Sequence, residues 1–167
     1  MEPVELNWAL RQLAVDYTKA LKGLLGESLV SVVLFGSVAR GEVTPLSDID
    51  LLVIAQDLPT GRLARQDRLK EADDVLESKL EGLRKDGVLT DLCPILKTPE
   101  EAKHLTPLYL DLVEDAVILY DREGFFSAIL AHLRRSLDRL GARRIKQGKV
   151  RYWELKPDYV PGEIFEL

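Results

Sequence analysis

The chain has 167 residues, 46% hydrophobic and 31% charged, with a net charge of −5, which predicts one globular domain with a substantial core. No apolar run approaches the roughly 20 residues that cross a bilayer, and the N-terminus lacks a basic-then-apolar signal, so we expect a cytoplasmic protein without membrane contact. The single cysteine, Cys93, excludes an internal disulfide and a cysteine-rich zinc site.

The first half of the chain alternates helix and strand signals. Apolar residues at helical spacing predict an amphipathic helix over 4–25, which Gly26 ends. The runs 29–35 and 49–54 are apolar and β-branched enough to be strands buried on both faces. A charged helix over about 62–85 is expected next.

A third strand is expected over 88–96, where Pro94 indicates the edge of a sheet because proline cannot donate to a strand ladder. The next helix, over 99–115, begins with an N-cap and a proline and is interrupted at Pro107. Residues 116–120 predict a further short strand.

The last part of the chain begins with an amphipathic helix over 125–140, after which Gly141 ends the periodic pattern. We expect a basic stretch and an extended aromatic tail, 152–167, to follow. The elements together predict an α+β fold with a mixed β-sheet flanked by helices. The core is expected over 1–122, and 123–167 supply the C-terminal helix, basic segment and tail of the same globular unit.

The charge is unevenly distributed. The basic segment, from Arg134 to Arg151, holds eight Lys or Arg against the single acid Asp138, which gives +7 and leaves −12 on the rest of the chain. Such a segment is either a solvated face or a track for an acceptor nucleic acid or acidic partner. The neighbouring Tyr152 and Trp153 either stack on bases or fix the tail to the body. One Asn, one Cys and one Met beside abundant charge indicate a thermophilic source.

The most informative feature is a glycine–serine turn followed by two spaced acids. The apolar run 32–35 leads into Gly36 and Ser37, and after ten intervening residues Asp48-Ile49-Asp50 opens the next apolar strand. Side chains alternate along a strand, so the two acids face one way and the isoleucine the other. Two carboxylates on one face, across from a glycine turn, suit a divalent metal that carries a phosphorylated nucleotide.

Further residues complete a candidate nucleotide site. Gly36 lets the backbone approach phosphate, Ser37 adds a hydroxyl donor, and Arg40 neutralises phosphate charge. Asp91, in the apolar third strand, is a candidate metal ligand and general base, and Cys93 is expected in the core unless it faces the site beside it. Plainer alternatives stay open: a strand-ending turn at Gly36–Ser37, a cap at Asp48, and ion pairs for Arg40 and Asp91.

This pattern closely resembles the polymerase-β-like nucleotidyltransferase superfamily, over about residues 28–120. The sequences Ala39-Arg40-Gly41 and Ser47-Asp48 sharpen the resemblance to its minimal nucleotidyltransferase branch. The resemblance implies a palm-like sheet, two Mg²⁺ ions and ATP as the nucleotide donor. It implies catalytic and metal-binding roles for Asp48, Asp50 and Asp91, and nucleotide-binding roles for Gly36, Ser37, Arg40 and Ser47.

The leading hypothesis is therefore a Mg²⁺-dependent enzyme that moves AMP from ATP to a hydroxyl acceptor. The resemblance also implies an alternative, an antitoxin that binds and AMPylates a tyrosine of a helical nuclease toxin. A third hypothesis, a non-catalytic nucleotide-binding module, is disfavoured because all three candidate carboxylates are present. A nucleoside triphosphate is the expected ligand, while a helical toxin, a nucleic acid and a second copy of the chain are alternative partners.

Overall fold

The computed structural model describes residues 2–148 and 150–167. Its helices are α1 (Pro3–Leu25), α2 (Gly36–Arg40), α3 (Arg62–Asp67), α4 (Lys70–Lys85), α5 (Pro99–Lys103), α6 (Pro107–Asp115) and α7 (Phe125–Leu140). Its strands are β1 (Leu29–Phe35), β2 (Ile49–Ala55), β3 (Leu92–Lys97), β4 (Val117–Asp121), β5 (Arg143–Gln147) and β6 (Val150–Glu154). None of these helices combines the length and apolar character that crossing a membrane requires.

The main sheet has four strands in the order β3-β2-β1-β4. Strand β1 pairs antiparallel with both β2 and β4, whereas β2 pairs parallel with β3, so the sheet is mixed. The predicted α+β class, a mixed sheet flanked by helices, is confirmed. The predicted edge position of Pro94 is confirmed as well, because β3 lies at one end of the sheet.

Two hydrophobic layers cover the two faces of this sheet. On one face, Leu51 and Val53 of β2 pack in a core with buried residues of α1 and α4. On the other face, Leu52 and Ile54 of the same strand pack with buried residues of α6 and α7. The alternation confirms that the central strands are buried on both sides, and it fixes which way each side chain of β2 points.

The helix predicted over 62–85 is wrong in one respect, because it is two helices, α3 and α4, separated near Leu69. The Leu69 side chain is fully buried and continues the apolar stripe of α4 onto α1. Helix α3 is instead held toward α5, since Arg65 donates to both carboxylate oxygens of Glu101 at 2.7 and 2.8 Å. The helix is interrupted between α3, which contacts α5, and α4, which packs on α1.

The strand predicted over 88–96 begins later than expected, at Leu92. Its parallel partner β2 starts at Ile49, the residue paired with Leu92. Residues before Leu92 therefore have no neighbouring strand with which to form ladder hydrogen bonds. The residues before β2 form a turn in which the Ser47 amide donates to the Thr44 carbonyl at 3.0 Å. Asp91 is therefore the residue immediately before the strand rather than the centre of it.

The sequence assigns no regular structure to the basic segment after Gly141, but this part forms β5 and the start of β6, which pair as an antiparallel hairpin. No apolar alternation marks this hairpin in the sequence. Trp153 of β6, together with Leu155 and Leu167 beyond it, packs against the core that contains buried residues of α6 and α7. Lys149 of the basic segment lies outside the described residues, and the division at residue 122 stays a prediction.

Candidate functional site

The glycine–serine turn directly follows β1 and sits against an acid of β2. Gly36 adopts a φ of +72°, a conformation that favours glycine. A Cβ atom at this position would lie 2.1 Å from the Oδ2 atom of Asp50. The antiparallel register explains the approach, because Phe35 is paired with Asp50. Glycine is thus required here by both the backbone angle and the neighbouring carboxylate.

Asp50 is the second residue of β2, and Asp48 immediately precedes the strand. Ile49 between them is fully buried in the core that α1 covers, so Asp50 points to the opposite face. Asp48 is exposed and Asp50 half-buried. Burial raises the pKa of Asp50 above its ordinary value, the neighbouring Asp48 carboxylate raises it further, and Arg40 acts in the opposite direction. Two like charges therefore stand together at the end of the sheet.

Ser47 stabilises the turn that precedes Asp48 and β2. Its side-chain oxygen accepts a hydrogen bond from the Thr44 amide at 2.9 Å, and the serine is buried. The hydroxyl thus closes the Thr44–Ser47 turn, which positions Asp48 at the start of β2. The nucleotide-binding role predicted for Ser47 stays a prediction.

Asp91 approaches Asp48 through its backbone. The Asp91 amide donates to Asp48 Oδ1 at 3.1 Å, and the Ile49 amide donates to the Asp91 carbonyl at 2.9 Å. The Asp91 carboxylate, 72% exposed, contacts Arg84 at 3.2 Å. Over residues 2–148 and 150–167, no three His, Cys, Asp or Glu side chains are arranged to hold a metal ion. The Asp48 and Asp50 carboxylates thus lie near each other, and the Asp91 main chain is hydrogen-bonded to Asp48. The Asp91 carboxylate, in contrast, faces Arg84.

Cys93 lies beside the acids rather than in the core. The ladder pairs it with Asp50, and the residue is exposed, so the core interpretation is wrong. Partial burial raises the pKa of the Cys93 thiol, and the carboxylates of Asp48, Asp50 and Asp91 raise it further. This single thiol therefore senses the negative charge of all three candidate carboxylates.

Arg40 ends α2, five residues after the strand, and lies between two acids. Its Nε is 2.9 Å from Glu42 Oε2, and its Nη1 is 3.7 Å from Asp115 Oδ2. Its influence on the pKa of Asp50 places its positive charge within electrostatic reach of the acid pair. In the part of the chain that the structure describes, the Ser37 hydroxyl has no side-chain hydrogen bond. Ser37 and Arg40, two of the four predicted nucleotide-binding residues, thus lie in α2, directly after Gly36.

Two acids that sequence reasoning missed, Glu42 and Asp115, connect this turn to the C-terminal hairpin. Arg144 donates to both oxygens of Asp115 at 2.7 and 2.6 Å, and Arg151 forms an ion pair with Glu42. No local pattern could have found these acids, because each lies far along the chain from its arginine partner. Two further arginines of the basic segment form ion pairs, Arg134 with Glu114 and Arg143 with Glu154. Much of the positive charge of this segment is therefore paired within the chain.

The chemistry of the acid pair fits a divalent cation. Asp50 fills the space that a side chain at position 36 would occupy, and its oxygens take part in no hydrogen bond or ion pair with other described residues. Asp48 accepts only the Asp91 amide among those residues. Hard carboxylate oxygens without a tight cationic partner are the ligands that Mg²⁺ prefers. Asp48 and Asp50 are the residues that would hold such an ion.

The chain belongs to a known enzyme family. The family model described as a nucleotidyltransferase domain matches residues 17–166. A protein of Methanocaldococcus jannaschii named as a protein adenylyltransferase, MJ1305, is 33% identical over 133 residues, covering 78% of this chain and 85% of the relative. A second protein of that organism with the same kind of name, MJ0141, is 35% identical over 49 residues, covering 29% of this chain and 50% of the relative. The chain is therefore a member of the nucleotidyltransferase family, and its activity class is that of a transferase.

Solved structures give a weaker likeness. One is a toxin–antitoxin complex with AMP-PNP, at a TM-score of 0.47 and 20% identity, covering 77% of this chain and 92% of the other. Another is a tri-AMPylated Shewanella oneidensis HEPN toxin with its MNT antitoxin, at a TM-score of 0.43 and 18% identity, covering 79% and 92%. At such scores the likeness says nothing about the partner of this chain.

Proposed function

We propose that this protein is a protein adenylyltransferase that moves AMP from ATP to a side-chain hydroxyl of another protein. In the reaction, the acceptor oxygen forms a bond to the α-phosphorus of ATP while the bond from that phosphorus to the β-phosphate oxygen breaks. Pyrophosphate leaves, and the hydroxyl proton passes to a nearby base or water. The observation that carries the proposal is the Asp50 carboxylate seated against Gly36, with the Asp48 carboxylate near enough to raise its pKa.

Some residues of the site would bind the phosphates of ATP, and others would bind the metal ion. Gly36 and Ser37 would receive phosphate oxygens just beyond the end of β1, and Arg40 would offset their charge. Asp48 and Asp50 would hold Mg²⁺, two ions being the number that the family resemblance implies. When bound, Mg²⁺ supplies charge neutralisation at the phosphates and fixes the α-phosphorus for in-line attack.

Asp91 would act on the acceptor hydroxyl. Its amide donates to Asp48, and its exposed carboxylate has Arg84 as its side-chain partner among the described residues. An exposed ion pair of this kind contributes about 0–1 kcal/mol, so the carboxylate can exchange this partner for another at little cost. We assign Asp91 the role of third metal ligand and acceptor of the hydroxyl proton.

A protein acceptor fits this chain better than a nucleic acid. The relative matched over most of the chain is named as a protein adenylyltransferase. Four arginines of the basic segment are engaged by acids of the same chain, which reduces the free positive charge that a phosphate backbone would meet (Arg134, Arg143, Arg144 and Arg151). A tyrosine of a small helical toxin is the acceptor that the family resemblance implies.

The test is transfer of labelled phosphate. ATP labelled at the α-phosphorus, or at the γ-phosphorus in a parallel reaction, is incubated with Mg²⁺, this protein and the products of the adjacent reading frames as candidate acceptors. We expect only the α-label to enter the acceptor, no transfer by Asp50→Asn, and full transfer by Asp74→Asn, which changes an exposed acid of α4. Transfer of the γ-label, or equal transfer by both variants, would overturn the proposal. A parallel arm with total RNA tests the nucleic-acid acceptor.

A further inference from the structure

The guanidinium of Arg40 lies between two carboxylates on different elements. Glu42, just past the end of α2, contacts it at 2.9 Å, and Asp115, the last residue of α6, contacts it at 3.7 Å. The two acids therefore restrict the side chain from two directions. An arginine is held most firmly when several of its donors have fixed acceptors.

Each of these acids is in turn held from its far side by the C-terminal hairpin. Glu42 uses one oxygen for Arg40 and the other for Arg151 of β6. Asp115 receives two hydrogen bonds from Arg144 of β5, and its Oδ2 is shared between Arg144 and Arg40. Arg151 and then Arg40 lower the pKa of Glu42 to about 2, and Arg144 lowers that of Asp115. Both acids thus stay ionised and paired at neutral pH.

The hairpin arginines also set the sign of the local charge. Arg40 with Glu42 and Asp115 alone carries −1, which would repel a triphosphate. Adding Arg144 and Arg151 changes this to +1. Including the more exposed Asp111, which Arg144 contacts at 3.4 Å, the change is from −2 to 0. In either count the hairpin adds two positive charges to the surroundings of Arg40.

We infer that Arg144 and Arg151 are positioning residues for Arg40, through which the C-terminal hairpin prepares the triphosphate side of the nucleotide site. The inference rests on the proposed function, because it gives Arg40 the phosphates as its ligand. It gives the basic segment a role in positioning Arg40, and this role does not involve nucleic acid. Removal of either hairpin arginine leaves an acid free to bind Arg40 alone, so Arg40 would meet the phosphates less readily.

The experiment measures the affinity of the full-length protein for AMP-PNP with Mg²⁺. We expect Arg151→Met to weaken binding about five- to tenfold and Arg151→Lys to restore part of the loss, since it keeps the charge. Arg143→Met is the matched control, because Arg143 lies in the same hairpin but pairs with Glu154 inside it at 3.1 Å. This control should bind AMP-PNP like the parent. Thermal unfolding of each variant checks that the hairpin remains folded.

A double-mutant cycle separates positioning from direct contact. In an Arg40→Met background, Arg151→Met should cause no further loss, because it acts through Arg40. An undiminished further loss, or a loss equal to that of Arg143→Met, would overturn the inference. If the parent fails to bind AMP-PNP at all, the proposed function and this inference fall together. If AMP-PNP binding is lost in Asp50→Asn but unchanged in Arg151→Met, this inference is overturned and the proposed function stands.

Discussion

The carboxylate of Asp50 lies against the Cα atom of Gly36, so that a methyl group built there would stand 2.1 Å from Oδ2. This contact joins the two halves of the sequence motif, since Gly36 directly follows β1 and Asp50 lies in the paired strand β2. The glycine therefore leaves room for the Asp50 carboxylate as well as permitting a turn. It explains why the motif needs both parts at a fixed spacing.

The first prediction concerns Gly36→Ala. We expect a loss of about 1–3 kcal/mol in the free energy of unfolding, from backbone strain and the displaced Asp50, together with loss of AMP-PNP binding. Gly141→Ala is the control, because that glycine has a φ of +67° but nothing within 4 Å of the added atom. It should lose stability and keep full binding. Equal effects of the two variants on binding would show that the carboxylate contact is unimportant.

The second prediction is that Asp50→Asn stabilises the metal-free protein. Because burial and then Asp48 raise the pKa of Asp50, the folded state holds this proton more tightly than the unfolded chain does. Stability is therefore lost as the pH rises through the raised pKa. Calorimetry at pH 7 with a chelator should give the variant a Tm about 2 °C higher, a modest shift because the group is only half-buried.

The pH dependence supplies the control for this stabilisation. Below the ordinary Asp pKa of 3.8 the parent carboxyl is protonated in both states, so the advantage of Asp50→Asn should vanish there. Added Mg²⁺ should stabilise the parent and not the variant. A variant less stable than the parent at pH 7 without metal would contradict the prediction.

The sequence predicted the central strands of this molecule better than the long-range contacts around them. Strand alternation placed Asp50 on the face opposite the buried Ile49, because the side-chain period of two is a local property of the strand. The connection between Arg151 and Glu42 could not be predicted, since it depends on a hairpin with no apolar alternation. For Asp91, hydrophobic neighbours suggested a buried strand position, whereas the late start of β2 leaves it exposed before β3.

The third prediction uses Cys93, the single cysteine of the chain, as a reporter of bound cation. Burial and then three carboxylates raise its thiol pKa. A cation held by Asp48 and Asp50 offsets that negative charge, so alkylation by iodoacetamide at pH 8 should become about threefold faster with Mg²⁺. Sodium chloride at equal ionic strength should have little effect. An unchanged rate at millimolar Mg²⁺ would argue against a cation at this position.

The fourth prediction separates a catalytic Asp91 from a merely ion-paired one. We expect Asp91→Asn to reduce AMP transfer about 100-fold while AMP-PNP affinity stays within about threefold of the parent. Arg84→Met removes the same ion pair from the other side and should leave transfer within about twofold, since the pair is exposed. If both variants transfer AMP like the parent, Asp91 serves only as a surface ion-pair partner.

The central claim, that Asp48 and Asp50 hold the cation which carries ATP, is tested most directly by titrating Mn²⁺ in the presence of AMP-PNP and following free Mn²⁺ by electron paramagnetic resonance. The parent should bind Mn²⁺ tightly, with Asp48→Asn and Asp50→Asn each weakening that binding at least about tenfold and Asp74→Asn leaving it unchanged. Equal Mn²⁺ binding by the parent and Asp50→Asn would contradict the account.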